Sequence, residues 1–313
     1  MTITRRETLS LGAGLLLAPA GATRAAVAAE NQAERNMQKQ FETIRTHTEG
    51  GVLFANLDAP PLNLIGPELV RDLVDLMDEL DRSEDIAVVV FSSADSEFFI
   101  PHVDITKVPQ YTKEAARISG SASGSLGGLF RRLSELRQVT IAQIEGLARG
   151  AGSEFALACD MRFASREKAV FGQIEAGFGA VPGAGGVQHL TRLLGRGRAM
   201  EVLLSSNDYD ADLAERYGWI NRALPQVELG PFVTSLATRI AKFPPAGIAA
   251  IKKRVNDIAL PALADVRMDA ALFQQTIREP RAQARTKELL DGGLQTKGYL
   301  ERKFGEALGQ LKN

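Results

Sequence analysis

Two glutamates and a glycine-rich turn are the residues of this 313-residue chain best suited to chemistry. Glu154 follows Gly150-Ala151-Gly152, and Glu175 comes twenty-one positions later. Small residues at the start of a helix let a ligand approach backbone N–H groups, and the helix dipole favours an anion there. Residues three apart share a helix face, so we expect the Glu154 carboxylate close to the Ala151 N–H. A carboxyl group that is partly buried beside another has a raised pKa, which suits acid–base catalysis.

A second segment of chemical interest is Phe98–Asp104, which reads FFIPHVD. Pro101 removes one N–H and fixes its own φ. His102 changes charge near neutral pH, so beside a substrate it would serve as an acid, a base or a hydrogen-bond donor. The equal alternative is a structural histidine that is hydrogen-bonded to Asp104.

The bulk composition excludes several classes of function. The chain is 45% hydrophobic and 24% charged, an ordinary globular composition, and its net charge of −1 gives no basic field for nucleic acid or an anionic membrane. The single cysteine, Cys159, excludes an intramolecular disulfide and a cysteine-based zinc cluster. With only three histidines present, we expect no metal site.

The first residues resemble a secretory signal. Arg5-Arg6 precede the apolar run Leu11–Ala20, and Ala26-Val27-Ala28 offers a cleavage site. Paired arginines favour the twin-arginine route, so residues 1–29 predict a signal peptide and a periplasmic or otherwise extracytoplasmic protein. If the signal is not used, the protein is cytoplasmic. The apolar run is much shorter than the roughly 20 residues of a bilayer span, so no membrane span is expected in the mature chain.

Beyond a lead-in over residues 30–44, strand-like and helix-like patterns alternate, which predicts an α/β fold over residues 45–235 and a helical C-terminal region over 236–313. The main predicted strands are Val52–Leu57, Ile86–Phe91, Val139–Ile144, Met161–Ala164, Ala169–Phe171 and Trp219–Ala223. The main predicted helices begin at Pro67, near Leu126, at Gly150 and near Gly186, and the later helices break at Phe243-Pro244-Pro245 and Pro261.

The order of motifs resembles that of the crotonase (enoyl-CoA hydratase/isomerase) superfamily. The stretch VTIAQIEGLARGAGSEFALACDMRFAS, followed by AVFGQIEAGFGAVPGAGGVQHLTRLLG, is similar to its signature over residues 139–195. The similarity extends over residues 45 to 255. It implies a spiral of ββα units, an acyl-CoA as substrate rather than as a cofactor, and a homotrimer or hexamer packed through the helical C-terminal region.

The resemblance also assigns roles. By position, the N–H groups of Ile100 and Ala151 form an oxyanion hole for a thioester enolate, with Gly150 and Phe99 beside the substrate. Glu154 and Glu175 match the pair that activates water and handles the α-proton in family hydratases. This chain departs from the family at Pro101 and His102, where the family has small residues and a glycine, so the acyl pocket and the usual CoA contact on this loop are open.

Three functions remain open at this point. The first is an enoyl-CoA hydratase or isomerase that adds water to an α,β-unsaturated acyl-CoA. The second is an exported hydrolase or lyase of the same fold that cleaves a CoA-independent carbonyl substrate by a retro-Claisen step, with His102 assisting; the export signal and the altered loop motivate it. The third is a non-catalytic scaffold, which the retention of both glutamates disfavours.

Overall fold

The fold described here is that of a computed structural model, and it covers residues 40–118 and 124–311. The strands are β1 (Ile44–Glu49), β2 (Val52–Leu57), β3 (Val88–Ser93), β4 (Phe98–Ile100), β5 (Val139–Ile144), β6 (Leu147–Arg149), β7 (Met161–Ser165), β8 (Val170–Gly172), β9 (Tyr209–Asp210) and β10 (Arg222–Leu224). The helices are α1 (Pro67–Arg82), α2 (Val108–Ala115), α3 (Leu126–Glu135), α4 (Ala151–Ala158), α5 (Gly186–Ser205), α6 (Ala211–Tyr217), α7 (Gln226–Ala241), α8 (Pro245–Ala259), α9 (Leu263–Thr276), α10 (Pro280–Asp291), α11 (Tyr299–Arg302) and α12 (Phe304–Gln310).

The larger sheet has the strand order β1-β2-β3-β5-β7-β10. Only β1 runs antiparallel to its neighbour; the remaining pairs are parallel. The apolar run in β3 fits this interior position, because strands covered on both faces need apolar residues throughout. Helix α7 covers one face with Leu229, Val233 and Ala237, all fully buried.

The smaller sheet, in the order β4-β6-β8-β9, carries the segments that surround the candidate site. Each of its first three strands follows a strand of the larger sheet after a short connection: β4 follows β3, β6 follows β5, and β8 follows β7. A helix then completes each turn of the chain. This is the predicted spiral of ββα units, and the predicted α/β class is confirmed.

The structure corrects some element bounds. The predicted strand Trp219–Ala223 is wrong at its start, since the strand covers Arg222–Leu224 and Trp219 lies in the preceding turn. Its indole is fully buried and donates to the Ser153 hydroxyl at 3.2 Å. Trp219 is therefore apolar because it packs in the core, and it does so from a turn and not from a strand. The predicted helix near Gly186 extends past Leu194 to Ser205, across non-helical backbone at Gly195.

The remaining predictions concern segments that the structure describes only in part. The predicted signal peptide (1–29) and the lead-in up to residue 39 lie outside them. The predicted boundary at residue 235 falls inside α7, whose apolar face packs on the larger sheet. Among the helices of residues 40–118 and 124–311, none combines the length and apolarity that a membrane span requires.

Candidate active site

The N-terminus of α4 forms one wall of the site, and glycines on either side of Ala151 permit its close packing. Gly150 has φ +49, and a Cβ there would lie 2.9 Å from Oε1 of Glu175. At Gly152 a Cβ would lie 1.8 Å from the Ile100 carbonyl oxygen, so β4 packs directly against the start of this helix. Ala151 is the first residue of the helix, where an N–H has no partner within the helix.

Glu154 lies on the same helix and is buried. Its Oε1 accepts hydrogen bonds from the backbone N–H groups of Ala184 and Gly186, both at 2.8 Å. Burial raises the pKa of Glu154 to about 7, although these two N–H groups stabilise the anion, and the charge of Asp269 adds to the increase. The group therefore takes up and releases protons near neutral pH, as a general base must.

Glu175 begins a short 3-10 turn, Glu175–Phe178, directly after β8. It is buried, and its Oε2 accepts a hydrogen bond from the Gln173 side-chain amide at 3.3 Å. Burial raises the pKa of Glu175 well above its ordinary value, and the charge of Glu154 raises it further. The sequence therefore brings two carboxyl groups together whose pKa values are both elevated.

Both glutamates line a cavity of about 610 Å³. Gly150, Ala151 and His102 lie on its wall as well, so five of the predicted site residues meet there. Most of the wall is apolar. Its other apolar side chains include Val103, Ile105, Val108, Leu126, Ile174, Phe178, Ala270, Phe273, Ile277, Leu289, Leu294 and Phe304. Two exposed arginines, Arg267 and Arg278, stand on the wall where it opens to solvent, and neither forms an ion pair within the described ranges.

Two predicted site residues do not reach the cavity wall. Phe99 is fully buried, and its ring packs against Phe155 with a centroid distance of 6.2 Å, so it belongs to the aromatic core. Ile100 is also fully buried, in β4 against the start of α4. Contacts with α4 account for both positions, since Phe99 packs on Phe155 and Ile100 lies against Gly152.

His102 lies on the cavity wall, but both its ring nitrogens are engaged elsewhere. Nδ1 lies 2.7 Å from the Val103 carbonyl oxygen, and Nε2 lies 3.1 Å from the Glu301 carboxylate. The expected hydrogen bond to Asp104 is therefore not the one that forms. Asp104 instead accepts from Thr106 and from the Gln295 side-chain amide.

Several residues that shape the site were not identified from the sequence. The N–H groups that donate to Glu154 belong to Ala184 and Gly186, in the PGAGG turn. The sequence shows this turn but not which of its N–H groups donate to Glu154. Gln173 belongs to the motif around Glu175, but its hydrogen bond to Glu175 was not predicted. Glu301, in the C-terminal region, gave no signal, because nothing in sequence places it beside His102.

Comparison with known proteins shows the family of this chain. The sequence profile of the family described as enoyl-CoA hydratase/isomerase matches residues 47–303. The chain belongs to the enoyl-CoA hydratase/isomerase family. Its relatives in this family include the short-chain-enoyl-CoA hydratase of Clostridium acetobutylicum, which is 32% identical over 219 residues, 69% of this chain and 82% of the relative.

Solved structures give the same result for the fold. A crystal structure from Streptomyces avermitilis, of a protein provisionally assigned as an enoyl-CoA hydratase, has 58% identity and a TM-score of 0.87, covering 88% of this chain and 100% of that one. Pseudomonas aeruginosa DspI has 28% identity and a TM-score of 0.63, covering 82% of this chain and 91% of that one. As a member of the enoyl-CoA hydratase/isomerase family, the chain is an enzyme of the hydratase/isomerase type.

Proposed function

We propose that the protein hydrates α,β-unsaturated acyl-CoA thioesters. Water adds its oxygen to the β-carbon, and a proton is delivered to the α-carbon, so the thioester passes through an enolate. The observation that carries the proposal is the pair of buried carboxyl groups, Glu154 and Glu175, on the wall of one largely apolar cavity. An apolar cavity with a few convergent polar groups is the usual form of a small-molecule site.

The surroundings of the two carboxyl groups assign them different roles. Glu154 accepts hydrogen bonds from two backbone N–H groups at 2.8 Å. Glu175 also has hydrogen bonds, from the backbone and from the Gln173 amide at 3.3 Å, but the charge of Glu154 adds to the effect of burial and raises its pKa further. Glu154 therefore ionises first, and its charge then keeps Glu175 protonated. Glu154 is accordingly the base that takes a proton from water, and Glu175 is the acid that protonates the α-carbon.

The enolate oxygen needs hydrogen-bond donors, and the Ala151 N–H is the candidate on the cavity wall. It stands at the N-terminus of α4, where the helix dipole also favours negative charge. One such preorganised donor is typically worth about 3–4 kcal/mol in the transition state. Ile100, the second predicted donor, is fully buried beside Gly152 and off the cavity wall, so the Ala151 N–H is the donor on which this proposal depends.

The CoA part of the substrate is expected at the open side of the cavity. Arg267 and Arg278 offer guanidinium groups there, and guanidinium binds phosphate oxygens in a bidentate manner. The acyl chain would then lie against the apolar wall. His102 has no catalytic part in this scheme, because its ring nitrogens already face Val103 and Glu301.

The experiment that tests the proposal is turnover of crotonyl-CoA by the protein lacking residues 1–29, measured beside Glu154→Gln and Glu175→Gln. Each carboxamide keeps the size of the side chain and removes its acid–base function. We expect hydration by the unsubstituted protein and a loss of about 10²–10⁴-fold in kcat for either variant. A folded protein that binds no CoA ester and hydrates none would sink the proposal in favour of a CoA-independent carbonyl substrate.

Export is a separate proposal. The twin arginine, the apolar run and the A-x-A site occur in the order that a signal peptide requires. Fusion of residues 1–29 to a reporter that is active only after export tests it directly. A matched fusion with Arg5→Lys and Arg6→Lys should lose export if the twin-arginine route is used. Equal reporter activity from both fusions would argue for another route, and none from either would argue against export.

A further inference from the structure

One side of the cavity is closed, and the C-terminal segment closes it. Leu289, Leu294 and Phe304 lie on the cavity wall and are almost fully buried, with exposed fractions of 3%, 4% and 0%. They pack with Ile174, the neighbour of the acid Glu175, in one apolar cluster. Because the arginines stand at the open side, this closed end is where an acyl chain entering beyond the glutamates would stop.

The closed end is fixed to the rest of the protein by a buried contact between His102 and Glu301. The Val103 carbonyl can only accept a hydrogen bond, so Nδ1 of His102 donates to it at 2.7 Å. Nε2 lies 3.1 Å from both carboxylate oxygens of Glu301. Both side chains are almost completely buried, with exposed fractions of 3% and 0%.

Neighbouring contacts hold the same segment. Arg149, fully buried, donates to the carbonyl oxygens of Glu301 and Arg302 at 2.8 and 3.1 Å, and its charge is balanced by Asp208 at 2.6 Å. The Gln295 N–H donates to Glu301 at 2.9 Å. Burial alone would raise the pKa of Glu301, but the charge and hydrogen bond of His102, with the Gln295 N–H and Arg149, lower it below its ordinary value.

A buried polar group whose partner is removed is left unsatisfied, which is unfavourable, so His102 and Glu301 hold each other in place. The Phe304 ring lies 5.9 Å from the His102 ring and three residues after Glu301. A displacement of Glu301 would therefore also displace Phe304. The closed end of the cavity, formed by Leu289, Leu294 and Phe304, is called its floor below. We propose that Phe304 and Leu294 set the longest acyl chain that the cavity accepts, and that His102 and Glu301 are positioning residues that hold this floor.

Saturated acyl-CoA esters test this without requiring turnover. Binding of butyryl-CoA and dodecanoyl-CoA is measured by calorimetry on the unsubstituted protein, Phe304→Ala, Leu294→Ala and Glu301→Gln. We expect the ratio of the two dissociation constants to shift by at least about tenfold towards the long chain in Phe304→Ala, since individual methylene groups in an apolar pocket change binding by such factors. Leu294→Ala should shift it in the same direction. Glu301→Gln should produce a smaller shift of the same sign, because the floor is loosened and not removed.

The matched control is Phe163→Ala, which removes a buried ring of the larger sheet away from the cavity. It should lower the thermal midpoint and leave the chain-length ratio unchanged. A ratio that stays within twofold in both folded floor variants overturns the role of Phe304 and Leu294. An unchanged ratio in Glu301→Gln overturns the role of the contact between His102 and Glu301. This inference rests on the proposed function in one respect only, namely that an acyl chain occupies the cavity. Acyl-CoA binding with the expected shifts but no hydration of crotonyl-CoA would therefore refute the hydratase and leave the floor intact, whereas no acyl-CoA binding at all would remove both.

Discussion

The N–H of Gly186 donates to Oε1 of Glu154 at 2.8 Å, and a Cβ on Gly186 would lie only 3.0 Å from that same oxygen. The Gln173 side-chain nitrogen is closer still, 2.8 Å from the position of that Cβ. Gly186 thus supplies a hydrogen bond to the base and leaves room for the amide that holds Glu175. One residue without a side chain makes both contacts compatible.

Gly186→Ala should therefore impair catalysis as well as packing. The added methyl group must displace either the Glu154 carboxylate or the Gln173 amide, and such overpacking typically costs about 1–3 kcal/mol of stability. We expect kcat for crotonyl-CoA to fall at least about tenfold, since misplaced catalytic groups lose rate steeply. Gly197→Ala is the matched control in the same helix α5, because nothing lies within 4 Å of its Cβ. Equal activities of the two variants would contradict this account of Gly186.

The pH dependence of kcat/KM should follow the ionisation of Glu154. Its pKa is raised to about 7, and the base must be ionised to take a proton from water. Activity should then fall about tenfold for each pH unit below about 7, and it should fall again at alkaline pH when Glu175 loses its proton. The check is kcat/KM for crotonyl-CoA between pH 5 and 9. A profile that is flat from pH 5 to 8 would rule out Glu154 as the base.

The same raised pKa makes Glu154 a cost to stability at alkaline pH. Between its ordinary value of 4.5 and about 7, the folded state holds the proton more tightly than the unfolded state, so the free energy of unfolding decreases as pH rises through this window. Glu154→Gln removes the charge but keeps an oxygen for the two N–H donors. We expect this variant to be more stable than the unsubstituted protein at pH 8, by up to about 3 kcal/mol.

The control for that expectation is denaturant unfolding of the unsubstituted protein and of Glu154→Gln, each at alkaline and at acidic pH. Well below pH 4.5, Glu154 is protonated in both the folded and the unfolded state, so the advantage of Glu154→Gln should largely disappear. A gain in stability that is the same at both pH values would mean that the substitution improves packing and does not relieve a buried charge.

Local pattern was sufficient for much of the fold and for part of the site. Strand Val139–Ile144 was predicted with its observed bounds, because β-branched and apolar residues predominate in it despite Gln143. The glutamates were found through the spacing of motifs around a helix start. Phe99 was assigned to the substrate from its position in a motif, yet its ring packs against Phe155, a contact that depends on how the helix lies on the sheet.

What the sequence could not supply are partners that are distant along the chain. His102 was expected to bond to Asp104, two residues away, but its partner Glu301 is 199 positions away. Side-chain chemistry made either partner suitable, and only the path of the C-terminal segment decides between them. The donors to Glu154 were hidden for a related reason, since backbone N–H groups carry no residue identity and any turn could have offered them.

The oxyanion role of Ala151 can be tested on a single N–H. Proline is well tolerated at the first position of a helix, where the missing N–H has no helical partner and the fixed φ fits. Ala151→Pro should therefore leave the protein folded while it removes the donor on the cavity wall. We expect kcat to fall about 10²–10³-fold, as for loss of one oxyanion donor elsewhere. Ala151→Gly is the matched control: it keeps the N–H and should stay within a few-fold of the unsubstituted rate. A folded Ala151→Pro protein with undiminished kcat would mean that the enolate oxygen is bound by other donors.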